Sequence, residues 1–221
     1  MTRKLVLALS VGLWVCAACK GRPSNGLKAE PPVFAGQPYD FYILNLSWSP
    51  EFCFSHSESP ECGTHPGFVV HGLWPQNEHG RGPEHCTPAR PVAANLVAKM
   101  LDYIPSSSLI QHEWATHGTC SGLSAAEYFA ILQRLRDSIR IPQAYEEIER
   151  PLTVPPRDVE NQFSAANPGI PFDGFRVSCY SDGALQEVRI CFDKSLTARP
   201  CTGVQDCTRM SVALAPTGPR R

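Results

Sequence analysis

Apolar and polar positions divide the chain into stretches of different period. Residues 39–48 carry Tyr, Phe, Ile, Leu and Trp with little charge, a run that reads as a buried strand ending in a turn at Ser49 and Pro50. A second short apolar run, residues 68–71, follows Pro66 and Gly67 and predicts a strand that delivers His71 at its end. Over residues 91–104, Val92, Leu96, Val97, Met100, Leu101 and Ile104 recur at three-four spacing. With Pro91 at a permitted first position and Pro105 as a stop, this predicts a helix. Residues 124–139 predict another: Ser124 and Glu127 form a capping box, Tyr128, Ile131, Leu132, Leu135 and Ile139 line one face, and Arg134, Arg136 and Asp137 the other. In the last third, residues 175–180 and 184–192 flank Ser181-Asp182-Gly183, which predicts a hairpin. Helices in the middle and strands at both ends predict an α+β domain, a central and mostly antiparallel sheet with helices packed on it.

The ends of the chain read differently. Arg3 and Lys4, an apolar run over residues 5–15 and the small-residue stretch Cys16-Ala17-Ala18-Cys19 give residues 1–18 the parts of a secretory signal. The run is too short to span a bilayer as a helix. The same stretch is similar to a bacterial lipoprotein signal, in which Cys19 would carry the lipid; Cys16 stands where that pattern has an aliphatic residue. Plain cleavage after Ala18 and lipidation of Cys19 therefore stay open. Residues 19–38, rich in Gly, Pro and polar side chains, have the composition of a linker. The folded domain is expected over 39–213, with a loose tail at 214–221.

Ten cysteines minus Cys16 and Cys19 leave an even set of eight: Cys53, Cys62, Cys86, Cys120, Cys179, Cys191, Cys201 and Cys207. In an exported chain they read as four disulfides, with the pairing open on spacing alone. The expected location is exported: periplasmic, outer-membrane-anchored or secreted. A net charge of −1 leaves no basic stripe or tail, which disfavours nonspecific packaging of nucleic acid but allows a few phosphates to be held locally.

Three of the seven histidines fall in two segments, Phe68-Val69-Val70-His71-Gly72-Leu73-Trp74-Pro75-Gln76 and His112-Glu113-Trp114-Ala115-Thr116-His117-Gly118-Thr119-Cys120. A zinc-protease helix needs two histidines four residues apart. Here the spacing of five turns them roughly 140° from each other on a helix, so no metal site is expected. Imidazole suits proton transfer near neutrality. RNA brings its own nucleophile in the 2'-hydroxyl, so its transesterification requires a base, an acid and donors to the phosphorane, and no cofactor. Trp74 and Trp114 offer flat surfaces for an unpaired base. His56, His65, His79 and His85 read as ordinary packed or surface side chains.

At these residues the chain resembles the ribonuclease T2 family. His71-Gly72-Leu73-Trp74-Pro75 is similar to that family's first active-site segment; His112-Glu113-Trp114 followed by His117-Gly118-Thr119-Cys120 is similar to its second, in the same order. Trp48-Ser49-Pro50, Cys53 and the C-terminal cysteines extend the resemblance over residues 39–210. It implies an α+β fold and an endoribonuclease of acidic pH optimum that cleaves single-stranded RNA through a 2',3'-cyclic phosphate, inactive on DNA. By motif position His117 would be the general base and His71 the general acid, Glu113 would stabilise the phosphorane and His112 would hold the phosphate. It also implies disulfides joining Cys53 to Cys62, Cys86 to Cys120, Cys179 to Cys207 and Cys191 to Cys201. Trp74, Gln76, Trp114 and Thr116 are the expected substrate contacts, the Gln76 amide suiting broad base specificity. Thr116 departs from the family, which commonly has lysine there, and motivates an alternative reading as a catalytically weak RNA-binding relative. A metal-dependent hydrolase is a third. A monomer is expected.

Overall fold

The computed structural model describes residues 38–63 and 67–217. The expectations for the signal 1–18, for Cys19, for the linker up to residue 37 and for His65 lie outside these residues.

Strand β1 (Phe41–Trp48) is the middle of the fold. Its even and odd positions enter different cores: Tyr42, Leu44, Leu46 and Trp48 join the main cluster, whereas Phe41 and Ile43 join a small one with Cys191 and Cys201. Burial on both faces explains why this strand reads as a continuous apolar run. Helix α1 (Ser49–Ser55) follows directly, where the sequence suggests only a turn. Pro50 sits in its first turn, where a missing N–H costs nothing.

Strand β2 (Phe68–Gln76) is longer than expected and carries His71 at its middle rather than its end. Asn45 of β1 is paired with Gly72 and Leu46 with Val70, so His71 is the extra residue of a β-bulge. Phe68, Val70 and Leu73 all enter the main core, and the step of three from Val70 to Leu73 is possible only because the bulge restores the phase.

Helix α2 (Ala94–Met100) is shorter at both ends than the predicted 91–104. Gln111 clamps Val92, its Oε1 accepting from the Val92 N–H at 2.8 Å and its Nε2 donating to the Val92 carbonyl at 3.1 Å, so the chain stays extended there. Beyond Met100 the chain turns, and the Tyr103 carbonyl accepts from the Val70 N–H. Helix α3 (Ser107–Thr116) is capped by Ser106, whose side chain accepts from the Leu109 N–H. Helix α4 (Ala125–Asp137) has the predicted capping box of Ser124 and Glu127.

Strand β3 (Leu152–Val154) and helix α5 (Pro156–Ala166) occupy a stretch whose prolines suggest only a connection. Strands β4 (Phe175–Cys179) and β5 (Leu185–Phe192) form the predicted hairpin, with Gly183 at φ +95° in its turn. Strand β6 (Val212–Leu214) pairs with β3 and buries Val212 and Leu214, so order extends past the expected boundary at Ala213. The main sheet runs β2-β1-β5-β4, antiparallel throughout, with α4 against β1 and β2 and α5 against β4. The result is the predicted α+β class.

Among the described residues four disulfides form, Cys53–Cys62, Cys86–Cys120, Cys179–Cys207 and Cys191–Cys201, the pairing that the resemblance implies.

Candidate active site

The site forms on the sheet face opposite the main core. Register places Val69, Ser47 and Glu187 in one row, Gly72, Asn45 and Arg189 in the next, and Trp74, Ile43 and Cys191 in the third. The bulge sends His71 to this face. Its Nδ1 lies 2.6 Å from Glu187 Oε1, and its Nε2 lies 3.5 Å from Glu113 Oε1. A carboxylate only accepts, so Nδ1 carries the proton and Nε2 is the working atom.

Helix α3 supplies the second motif. Ile110, Glu113 and Thr116 point inward and are buried, while His112 faces solvent. Glu113 reaches the sheet because Gly72 has no side chain: a Cβ there would stand 1.8 Å from Glu113 Oε2. That oxygen accepts from Trp74 Nε1 at 2.8 Å. The helix ends at Thr116, and His117 follows as its C-cap with its N–H donating to the Glu113 carbonyl. The His117 ring stacks on Trp74 with centroids 4.8 Å apart and planes at 26°, and His71 meets the same indole edge-on at 5.3 Å. Both imidazoles thus contact one indole. The segment after His117 is pinned by Cys86–Cys120 and by the His85 N–H, which donates to the Thr116 carbonyl at 2.7 Å.

Burial and charge pull the two histidines apart. His117 is held down to about 3, first by burial and then by the positive charges of His71, His112 and His85. Burial also pushes His71 down, but its hydrogen bond to Glu187 and the charges of Glu113 and Glu187 outweigh this, and its pKa ends above the usual histidine value. Glu113 is pushed up to about 7 by burial, against the opposing pull of His71 and Trp74. Burial likewise raises Glu187, but His71 and Arg189 outweigh it and hold that carboxyl below the usual range.

Two clefts flank the centre. One of about 680 Å³ is lined by Trp74, Gln76, Arg81, His117, Arg189 and Gln205. The other, about 360 Å³, is lined by His71, His112, Phe52, Ser106 and Leu109 among others. His71, Trp74, Gln76, His112, Glu113 and His117 are therefore gathered at one place. Two expected contacts stand apart from it. Trp114 donates from Nε1 to the Arg90 carbonyl and packs on Tyr128, with Gly118 closely against its ring. Thr116 is buried, and its hydroxyl has no hydrogen-bond partner among the described residues.

Glu187 and Arg189 are the site residues that sequence reasoning missed. Two charges two apart in a strand normally mark a solvent face. The signal available was their place among Leu185, Val188 and Ile190, the buried apolar residues of that strand.

A profile of the family described as Ribonuclease T2 matches residues 39–201. A probable ribonuclease of Haemophilus influenzae is 32% identical over 186 residues, covering 76% of this chain and 62% of that protein. A ribonuclease of Aeromonas hydrophila is 34% identical over 143 residues, covering 63% and 60%. The chain thus spans about three-fifths of these relatives. Among solved structures, an RNase-related protein from Calystegia sepium superimposes with a TM-score of 0.67 at 23% identity, over 82% of this chain and all of that one.

Proposed function

The chain belongs to the ribonuclease T2 family, and from that premise we propose that it is an endoribonuclease that cleaves single-stranded RNA by metal-independent transesterification. The observation that carries the reading is the pair of imidazoles that both contact Trp74, one held neutral and one held protonated. Titratable pairs driven apart in this way reveal which is acid and which is base.

His117, neutral above about pH 3, takes the proton of the 2'-hydroxyl. The 2'-oxygen forms a bond to phosphorus, the bond from phosphorus to the 5'-oxygen breaks, and His71 gives its Nε2 proton to that leaving oxygen. The products are a 2',3'-cyclic phosphate and a free 5'-hydroxyl. Glu113, within reach of His71 and fixed by Trp74, donates to the phosphorane in its protonated form, which its pKa of about 7 keeps populated below neutral pH. The exposed His112 holds phosphate on the side of the smaller cleft. Gln76, whose Oε1 accepts from the Asn77 N–H, presents an amide to the base and favours broad specificity.

Four disulfides also favour an oxidising compartment and hence export. Whether Cys19 is lipidated is a separate part of the proposal, tested by mass spectrometry of the mature protein.

The deciding experiment is cleavage of a short RNA with EDTA present, beside the same strand carrying a 2'-deoxy substitution at the scissile nucleotide and beside His117→Ala. The expected result is a cyclic phosphate from the first and none from the other two. Correctly oxidised protein that cuts nothing would favour the binding reading that Thr116 motivates.

A further inference from the structure

The phosphorane gains negative charge in a cleft where the position before His117 offers only a buried threonine. A further cation facing that cleft would stabilise the charge beyond what His71 and His112 supply. Arg189 of β5 lies in the same cleft as His117 and Trp74, with its guanidinium carbon 5.9 Å from the centre of the Trp74 ring. Glu187 Oε2 accepts from both its Nε and its Nη2 at 3.1 Å. Glu187 Oε1 meanwhile holds His71 at 2.6 Å. One carboxylate therefore sets both the imidazole and the guanidinium, which fixes the distance between acid and cation. Arg189 Nη1 has no protein acceptor among the described residues. Arg81 also lines the cleft, but it is exposed and no such anchor holds it.

We propose that Arg189 is a catalytic residue of this ribonuclease: its guanidinium, anchored by Glu187, donates to a nonbridging oxygen of the scissile phosphate and supplies the positive charge that Thr116 does not. The inference rests on the ribonuclease reading of the site. The planar fork suits phosphate, because two edges can be used at once, one for the anchor and one for the substrate. The indole beneath it limits the swing of the side chain and adds a cation–π contact.

The test compares the wild-type protein with Arg189→Gln, Arg189→Lys and Arg134→Gln. Binding of adenosine 3'-monophosphate is followed by tryptophan fluorescence across a salt series, and RNA cleavage is followed in EDTA. Arg189→Gln is expected to bind the nucleotide tenfold or more weakly, to lower the salt slope by about one, and to lose on the order of 10²-fold in kcat. Arg189→Lys should keep the slope and fall between the two in affinity, and it decides the matter if the glutamine variant does not fold. Arg134→Gln, at an exposed position of α4 outside both clefts, should stay within twofold of wild type in cleavage. A merely structural role for Arg189 would leave the salt slope unmoved. Nucleotide affinity and salt slope unchanged in both Arg189 variants would overturn the proposal. Because binding needs no turnover, a wild-type protein that fails to cut RNA would sink the ribonuclease reading while the binding arm still decides Arg189.

Discussion

His71 Nδ1 lies 2.6 Å from Glu187 Oε1, across 116 residues of chain. The contact fixes the tautomer of the imidazole and holds its proton to higher pH than burial alone would allow. A general acid must be protonated to work, so the basic limb of activity belongs to this pair.

Glu187→Gln should therefore move the basic limb of the kcat/KM profile toward acid. Without the carboxylate, only Glu113 is left to offset burial, and the His71 pKa falls. The variant should lose on the order of tenfold more activity at pH 7 than at pH 5, because the protonated fraction of an essential acid shrinks most where the pH exceeds its pKa. A basic limb that stays where it is in the wild type would show that Glu187 does not tune His71.

Gly72→Ala should be among the most damaging small substitutions. The added methyl would stand 1.8 Å from Glu113 Oε2 and 2.5 Å from its Cδ, and both belong to a buried side chain. Either Glu113 leaves the Trp74 indole or β2 shifts, at about 1–3 kcal/mol of stability. Activity should fall on the order of 10²-fold, as expected when one donor or acceptor of a preorganised site is lost. Full activity with an unchanged melting temperature would contradict this placement of Glu113.

How far the sequence reveals this arrangement depends on what each residue buries. Strand β1 is legible because both of its faces enter apolar clusters, and α4 because its capping box and apolar stripe agree. Helix α3 escapes the periodicity because two of its three buried positions are Glu113 and Thr116, which read as polar. Helix α5 hides similarly behind buried Glu160. The bulge at His71 is invisible to an alternation count, since it is the very interruption of that alternation. His71, Glu113 and His117 are legible through motif and chemistry, whereas Glu187 and Arg189 depend on β5 lying beside β1, a long-range pairing that no local pattern encodes.

Removing the Cys86–Cys120 bridge with a double Ala variant should cost about 3–4 kcal/mol for a loop of this length. Activity should suffer before global unfolding, because Cys120 lies three residues after His117 and its partner lies beside His85, which bonds the Thr116 carbonyl. Cleavage and tryptophan fluorescence followed through a temperature ramp would test the order. Simultaneous loss of both would mean the bridge supports the fold without a special hold on the base.

His117 predicts a stability that changes with pH in a definite direction. Its value is held down from 6.5 to about 3 in the folded protein. Between those values the unfolded chain binds the proton and the folded one does not, so stability falls as the solution is acidified, and the penalty is complete below about pH 3. Glu187, held low, also loses its contribution on acidification, whereas Glu113, held high at about 7, acts in the opposite sense as pH rises. Because these remain in both proteins, comparing wild type with His117→Asn isolates the imidazole. The variant's melting temperature should fall less steeply than wild type from pH 6 to pH 4, although it has lost the catalytic base. Parallel curves for the two proteins would mean that His117 takes up its proton without difficulty in the folded state, and the assignment of the neutral imidazole as base would have to be given up.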